Sequence, residues 1–215
     1  MAEEAIVKDE MNRDKFFTEL LRGLTLDELE QVQDAYWLAK NAHYWDEPRD
    51  NGQRYFEHLR TVAIILIERG FRDKDTVTVA LLHDILENTN THPRIIVKQF
   101  PNHIIWRSLY ALSKKIPFFD PLTGQLHDRM EKEISVYFSR IASSDELVRR
   151  VKLADRLHNL RTMQAWTRNR QERYITETET YILPIAENTD RWFLQELKAA
   201  IADVKSSWQA QEARG

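Results

Sequence analysis

Two histidines and two aspartates stand where helical patterning calls for apolar side chains: His58, the adjacent pair His83-Asp84, and Asp155. A buried carboxylate is unfavourable unless it is paired, hydrogen-bonded or bound to a metal. Singly, each has a plain structural explanation: a hydrogen-bonded core histidine, or an aspartate salt-bridged to Arg156 or Arg161. Together they make a nitrogen–oxygen donor set suited to a divalent ion such as Mn2+, Fe2+ or Zn2+. Four protein ligands leave positions for water and substrate, and such a centre polarises a phosphoryl oxygen. Glu87 follows His83 by one helical turn and could orient or deprotonate an attacking water. Asn159 follows Asp155 by one turn and could reach the same cavity.

The elements that must position these residues read as helices almost throughout. Thr25-Leu26-Asp27-Glu28 is a capping box opening a helix to about His43. A second helix runs from about Tyr55 to Arg69 and stops at Gly70. A third, capped by Asp73 or Asp75, extends to about Glu87 and is apolar nearly all round, so it should be central. On that helix His83 and Asp84 would point about 100° apart and still reach one ion. Shorter helices over 93–100 and 102–114 flank Pro101, and 116–126, with Pro117, Pro121 and Gly124, reads as a surface excursion. Further helices are expected over 128–142, from a second capping box at Ser143-Ser144-Asp145-Glu146 to about Met163, over 171–183 up to an interrupting Pro184, and over 190–210. No strand pair emerges. The expectation is an all-α fold, one helical bundle of roughly eight to ten helices over residues 25–210, with 1–24 as an N-terminal extension.

Composition narrows the function classes. Lys+Arg number 31 against 34 Asp+Glu, so a basic nucleic-acid face is not the default reading and no nucleic-acid partner is expected. The chain has no cysteine, which removes disulfides, thiolate metal sites and cysteine nucleophiles. Its five glycines spell neither a dinucleotide fingerprint nor a P-loop. The first ten residues are acidic and lack the apolar stretch of a signal peptide. No run approaches the roughly 20 apolar residues of a membrane span. A cytoplasmic protein with no membrane partner is the expectation.

His58, His83-Asp84 and Asp155 form the H…HD…D pattern of the HD-domain metal-dependent phosphohydrolases. The likeness extends to the RelA/SpoT-type alarmone hydrolases. Arg49, Gly52, Tyr55 and His58 fit that family's R-x-S-G-E-P-Y-x-x-H, and Leu81-Leu-His-Asp-Ile-Leu-Glu-Asn-Thr89 resembles its L-L-H-D-V-V-E-D-T. Ser108-Leu-Tyr-Ala-Leu-Ser-Lys114 is similar to L-V-D-G-V-T-K, and Lys152 through Thr162 nearly reproduces K-L-A-D-R-L-H-N-M-R-T. The resemblance covers roughly 29–190, and the chain looks like a stand-alone small alarmone hydrolase, without the synthetase and regulatory domains of longer members.

The resemblance implies hydrolysis of the 3′-pyrophosphate of (p)ppGpp, the stringent-response alarmone, to GDP or GTP and pyrophosphate on a Mn2+ site. It implies His58, His83, Asp84 and Asp155 as metal ligands, and Glu87 with Asn88 at the attacking water. It implies Arg49, Asn51, Tyr55, Lys114 and Asn159 as contacts to a small-molecule nucleotide. Three departures stand out. Asn88 replaces an aspartate, and an amide positions water but does not exchange a proton. Asp50 and Asn51 replace a basic residue and a serine, and an acid at 50 should repel phosphate. Residues 116–128 look inserted, either an idle excursion or a lid. These departures motivate two other readings: an HD phosphohydrolase of another nucleotide such as (p)ppApp or NADPH, or a catalytically weak nucleotide-binding module.

Overall fold

The computed structural model describes residues 13–20, 22–120 and 123–212. Residues 13–20 form helix α1, which buries Phe16 and Leu20 against the main core, so this part of the expected extension packs with the domain. Helix α2 (Leu26–Ala42) begins with the capping box read from the sequence. Thr25 accepts the Glu28 N–H, and the Glu28 carboxylate accepts the Thr25 N–H at 2.9 Å. Helix α3 (Tyr55–Glu68) buries Leu59, Val62, Ala63 and Leu66 on the same side as His58. It ends where Gly70, at φ 88°, turns the chain so that the Phe71 N–H donates back to the Leu66 carbonyl.

Helix α4 (Lys74–Leu82), capped by Asp73, is buried along nearly its whole length. The continuous helix expected up to Glu87 does not form. The chain turns at His83-Asp84 and restarts as α5 (Ile85–Asn88), with the Asp84 carbonyl accepting the N–H groups of Glu87 and Asn88. Asp84 therefore stands at the N-cap position of α5, where its side chain makes no cap bond and stays available to the cluster. Short helices α6 (Pro93–Gln99) and α7 (His103–Leu112) follow, as expected around Pro101.

The next segment departs most from the sequence reading. Strands β1 (Lys115–Phe119) and β2 (Leu126–Glu131) pair antiparallel, Lys115 opposite Glu131, with a bulge at Phe118/Phe119. The hairpin replaces both the expected loop and the first turns of the helix expected from 128. Asp128-Arg129-Met130-Glu131 has ordinary helical propensity, and pairing with Ile116 and Phe118 overrides it. Helix α8 (Ile134–Ala142) starts later, where the Glu133 carboxylate accepts the N–H groups of Ser135 and Val136.

Helix α9 (Glu146–Thr162) is long and central, but the second capping box is absent: Asp145 makes no side-chain cap. The hydroxyls of Ser143 and Ser144 instead donate to the Ser139 and Arg140 carbonyls of α8, which occupies them. Helix α10 (Arg168–Glu177) continues through a π-helical turn, Thr178–Ile182, into α11 (Leu183–Glu187). Pro184 lies in the first turn of α11 and does not interrupt the run as expected. Proline lacks an N–H and crowds the preceding turn, and the wider π turn accommodates both defects. Helix α12 (Arg191–Glu212) closes the bundle against α9. Buried Arg156 of α9 ties the π turn down. It pairs with Glu177, donates to Thr178 Oγ1 at 3.3 Å and lies 3.9 Å from the centre of the Tyr174 ring.

The architecture is thus all-α apart from the hairpin, with α3, α4 and α9 packed on one another at its centre. Among the described residues no helix is long and apolar enough to cross a membrane. The Thr25 cap gives a direct check on the fold's local energetics. Thr25→Ala should lower the stability by about 1 kcal/mol, read from the denaturant midpoint at unchanged m-value. A midpoint that does not move would mean that water replaces the cap at no loss.

Candidate active site

The three central elements bring the anomalous polar residues together. His58 comes from α3, His83 and Asp84 from the turn between α4 and α5, and Asp155 from α9. One donor atom each from His58, His83 and Asp84 lies within 4.8 Å of the others. Asp155 Oδ1 borders the same space, 3.3 Å from His58 Nε2 and 3.8 Å from His83 Nε2.

The protonation pattern leaves lone pairs facing this space. The His83 Nδ1–H donates to the Ala80 carbonyl at 2.8 Å, so Nε2 carries the lone pair. That Nε2 is buried and has no hydrogen-bond partner. A buried nitrogen without a partner is unfavourable, and a metal ion resolves it. His58 Nδ1 and His158 Nδ1 are 2.7 Å apart, so one of them donates. Burial and the neighbouring His58 push the His158 imidazole down to about 3, and burial also lowers His58. Both rings are therefore neutral near pH 7. His58 Nε2 lies 3.3 Å from Asp155 Oδ1, so the two atoms either share a proton or, with Nδ1–H given to His158, present two lone pairs that a cation between them would satisfy. The donor set fits a divalent ion on these grounds.

The carboxylates are held in their charged form against burial, which by itself would raise them. Lys152 donates to Asp155 Oδ2 at 2.8 Å and its charge holds Asp155 well below the usual range. Asn159 donates to the other oxygen at 2.7 Å. The Tyr55 hydroxyl donates to Asp84 Oδ2 at 2.5 Å, which favours the charged form and helps to hold Asp84 below its ordinary value. Burial and the Asp84 charge push the Tyr55 phenol far up, so it remains a donor.

Glu87 lies beside this cluster, half-buried, with one oxygen accepting the Lys114 N–H at 2.8 Å. Burial and the Asp84 charge raise its pKa, which makes it a stronger base than an exposed carboxylate. Asn88, exposed at the end of α5, reaches the cluster through Tyr55. Its amide donates to the Tyr55 hydroxyl at 2.7 Å, so it supports the tyrosine that supports Asp84.

A cleft of about 410 Å³ opens over the cluster, lined by Arg49, Asp50, Tyr55, His58, Asp84 and Asn159 from one side and Trp166, Arg170 and Tyr174 from the other. Arg49 donates to Asn159 Oδ1 at 2.5 Å. Asn51 is turned away: its side chain binds Gln53 within its own loop. The Lys114 ammonium faces Glu131 on β2 at 3.1 Å, and only its backbone serves the site, through Glu87. The repulsion expected from Asp50 is answered by Arg170, 2.9 Å away. Sequence reasoning missed Lys152, His158, Trp166, Arg170 and Tyr174. Lys152 and His158 sit within the run from Lys152 to Thr162, three residues to either side of Asp155, so helical spacing could have found them.

Comparison with known proteins shows what the chain is similar to. A family model described as "HD domain" matches residues 35–192. The chain is 32% identical over 190 residues to a GTP pyrophosphokinase of Streptomyces antibioticus, covering 80% of this chain and 20% of that protein. It is 29% identical over 162 residues to the bifunctional (p)ppGpp synthase/hydrolase SpoT of Escherichia coli, covering 74% and 22%. The chain therefore spans about a fifth of the length of the curated relatives it matches. A solved structure titled as a metazoan ortholog of SpoT that hydrolyses ppGpp shares the fold, with a TM-score of 0.65 at 20% identity, over 80% of this chain and 94% of that one.

The ligand assignment has a direct test. Asp84→Ala should lose the bound divalent metal, measured by elemental analysis of the purified protein, while the helical circular-dichroism signal stays. Full metal content in that variant would take Asp84 out of the ligand set.

Proposed function

The chain belongs to the HD-domain family, and from that premise we propose that it is a metal-dependent (p)ppGpp 3′-pyrophosphohydrolase. Such an enzyme converts the alarmone to GDP or GTP and pyrophosphate in the cytoplasm. The observation that carries the reading is the unpartnered, buried His83 Nε2 facing His58, Asp84 and Asp155 beneath a cleft that also holds Arg49. The names of the relatives agree with it: one is a (p)ppGpp synthase/hydrolase and another, from Borreliella burgdorferi, a guanosine-3′,5′-bis(diphosphate) 3′-pyrophosphohydrolase.

His58, His83, Asp84 and Asp155 would hold the divalent ion, which we take to be Mn2+. When bound, that ion supplies Lewis-acid polarisation of the phosphoryl group and acidifies water. The protein's own groups do the rest. Lys152 and Asn159 fix both oxygens of Asp155, and the Tyr55 hydroxyl fixes Asp84. Glu87, with its raised pKa, accepts the proton of the water that attacks the 3′-diphosphate phosphorus next to the ribose. The P–O bond to the 3′-oxygen breaks, pyrophosphate leaves, and the 3′-oxygen takes up a proton. Arg49 is anchored by a neutral amide, so its charge remains available to the substrate phosphates.

Two measurements test this reading. The purified protein with Mn2+ should release pyrophosphate and GDP from ppGpp in equal amounts; release of inorganic phosphate alone would point to a different reaction. Glu87→Gln should retain the metal and lose turnover by about 10² to 10⁴. An unchanged rate would place the base elsewhere.

A further inference from the structure

The two arginines of the cleft are held in opposite ways. Arg49, at the inner end, donates to the Asn159 side-chain carbonyl, which carries no charge. Arg170, reaching in from α10, donates to Asp50 Oδ2 at 2.9 Å and lies 3.9 Å from the centre of the Trp166 ring. The Asp50 and Arg170 side chains are 46% and 49% exposed, so the pair sits at the solvent end of the cleft, where Glu47 adds a further acid.

The difference matters for a polyanionic substrate. A guanidinium held by an amide presents a full positive charge. A guanidinium beside a carboxylate presents only a dipole, whose field falls off faster with distance than that of a charge. A phosphate arriving at the outer end would have to displace Asp50 from Arg170 or lie close to both. Arg49 therefore offers phosphate an uncompensated guanidinium at the inner end, whereas the outer end, with Arg170 paired to Asp50 and Glu47 beside them, offers none.

We propose that Asp50 is a specificity-determining residue that acts through Arg170: by neutralising that arginine it makes the cleft indifferent to phosphates beyond those at the metal cluster. The inference rests on the hydrolase reading for its substrate class, nucleoside 3′-diphosphates. Its content is that additional 5′-phosphates gain no binding from the outer end.

The test uses guanosine 3′-diphosphates carrying one, two or three 5′-phosphates. For the unaltered protein kcat/KM should stay within about twofold across the series. In Asp50→Asn the freed Arg170 should favour the most phosphorylated member over the least by about fivefold or more, the scale of one partly exposed charge pair. The double variant Asp50→Asn/Arg170→Gln should return the series to within about twofold, because the gain requires the arginine. Two results overturn the proposal: a steep preference for added phosphates in the unaltered protein, or an Asp50→Asn series as flat as the original. Should no form turn over any member, the hydrolase reading fails. Dissociation constants for the same three compounds, measured by calorimetry on the same proteins, then decide the role of Asp50 by the same ratios.

Discussion

Burying two carboxylates among imidazoles in an apolar helical core is the constraint that the rest of this structure answers. A carboxylate in such surroundings is destabilising by several kcal/mol unless charges and hydrogen bonds compensate. Asp155 has both oxygens engaged, by Lys152 and Asn159, and Lys152 stands on the preceding turn of the same helix. Asp84 takes the Tyr55 hydroxyl from the first turn of α3. Both oxygens of Asp155 and one oxygen of Asp84 thus face donors from the protein, while the cluster as a whole faces inward to a shared space. The Tyr55–Asp84 bond ties α3 to the turn after α4, and the His58–His158 contact ties α3 to α9, alongside the apolar packing. A change that removed one donor would leave a charge buried without its partner, which is more harmful than losing a surface pair.

The same demand explains the break in the backbone at His83-Asp84. On an unbroken helix adjacent side chains diverge by about 100°, and the apolar positions around them would be equally buried. Ending α4 at Leu82 and restarting at Ile85 puts Asp84 at the N-cap position of α5. His83 can then donate to the Ala80 carbonyl and turn its other nitrogen to the cluster. The restart also places Glu87 against the beginning of β1, where the Lys114 N–H holds it. The residue that leads into the hairpin thus supplies the backbone donor that fixes the Glu87 carboxylate.

Much of this was legible in the sequence, and the parts that were not share a physical reason. The helical core, the Thr25 cap and the Gly70 stop depend on local spacing, and spacing is what a sequence displays. The four clustered residues were visible because polar side chains on apolar faces are anomalous. The hairpin was missed because Asp128 to Lys132 favours a helix locally, and only pairing with a distant strand overrides it. The second capping box failed because its serines bind the preceding helix, a choice among equivalent local bonds. Partners far apart in the chain were beyond reach. Arg170 lies 120 residues from Asp50, and nothing in either segment announces the pair.

Asn88 shows how a single atom type can be set by hydrogen-bond accounting. The Tyr55 hydroxyl has one proton, and it goes to Asp84 Oδ2. The hydroxyl oxygen can then accept, and Asn88 supplies an N–H at 2.7 Å. An ionised carboxylate at position 88 would have no hydrogen to give. It would compete with Asp84 for the one phenolic proton and add negative charge beside a cluster that already holds two carboxylates. The amide avoids both conflicts: it completes the bonding of Tyr55, leaves Asp84 with its donor and adds no charge. In this chain position 88 therefore acts on the cluster through a tyrosine, two hydrogen bonds removed from the carboxylate it steadies.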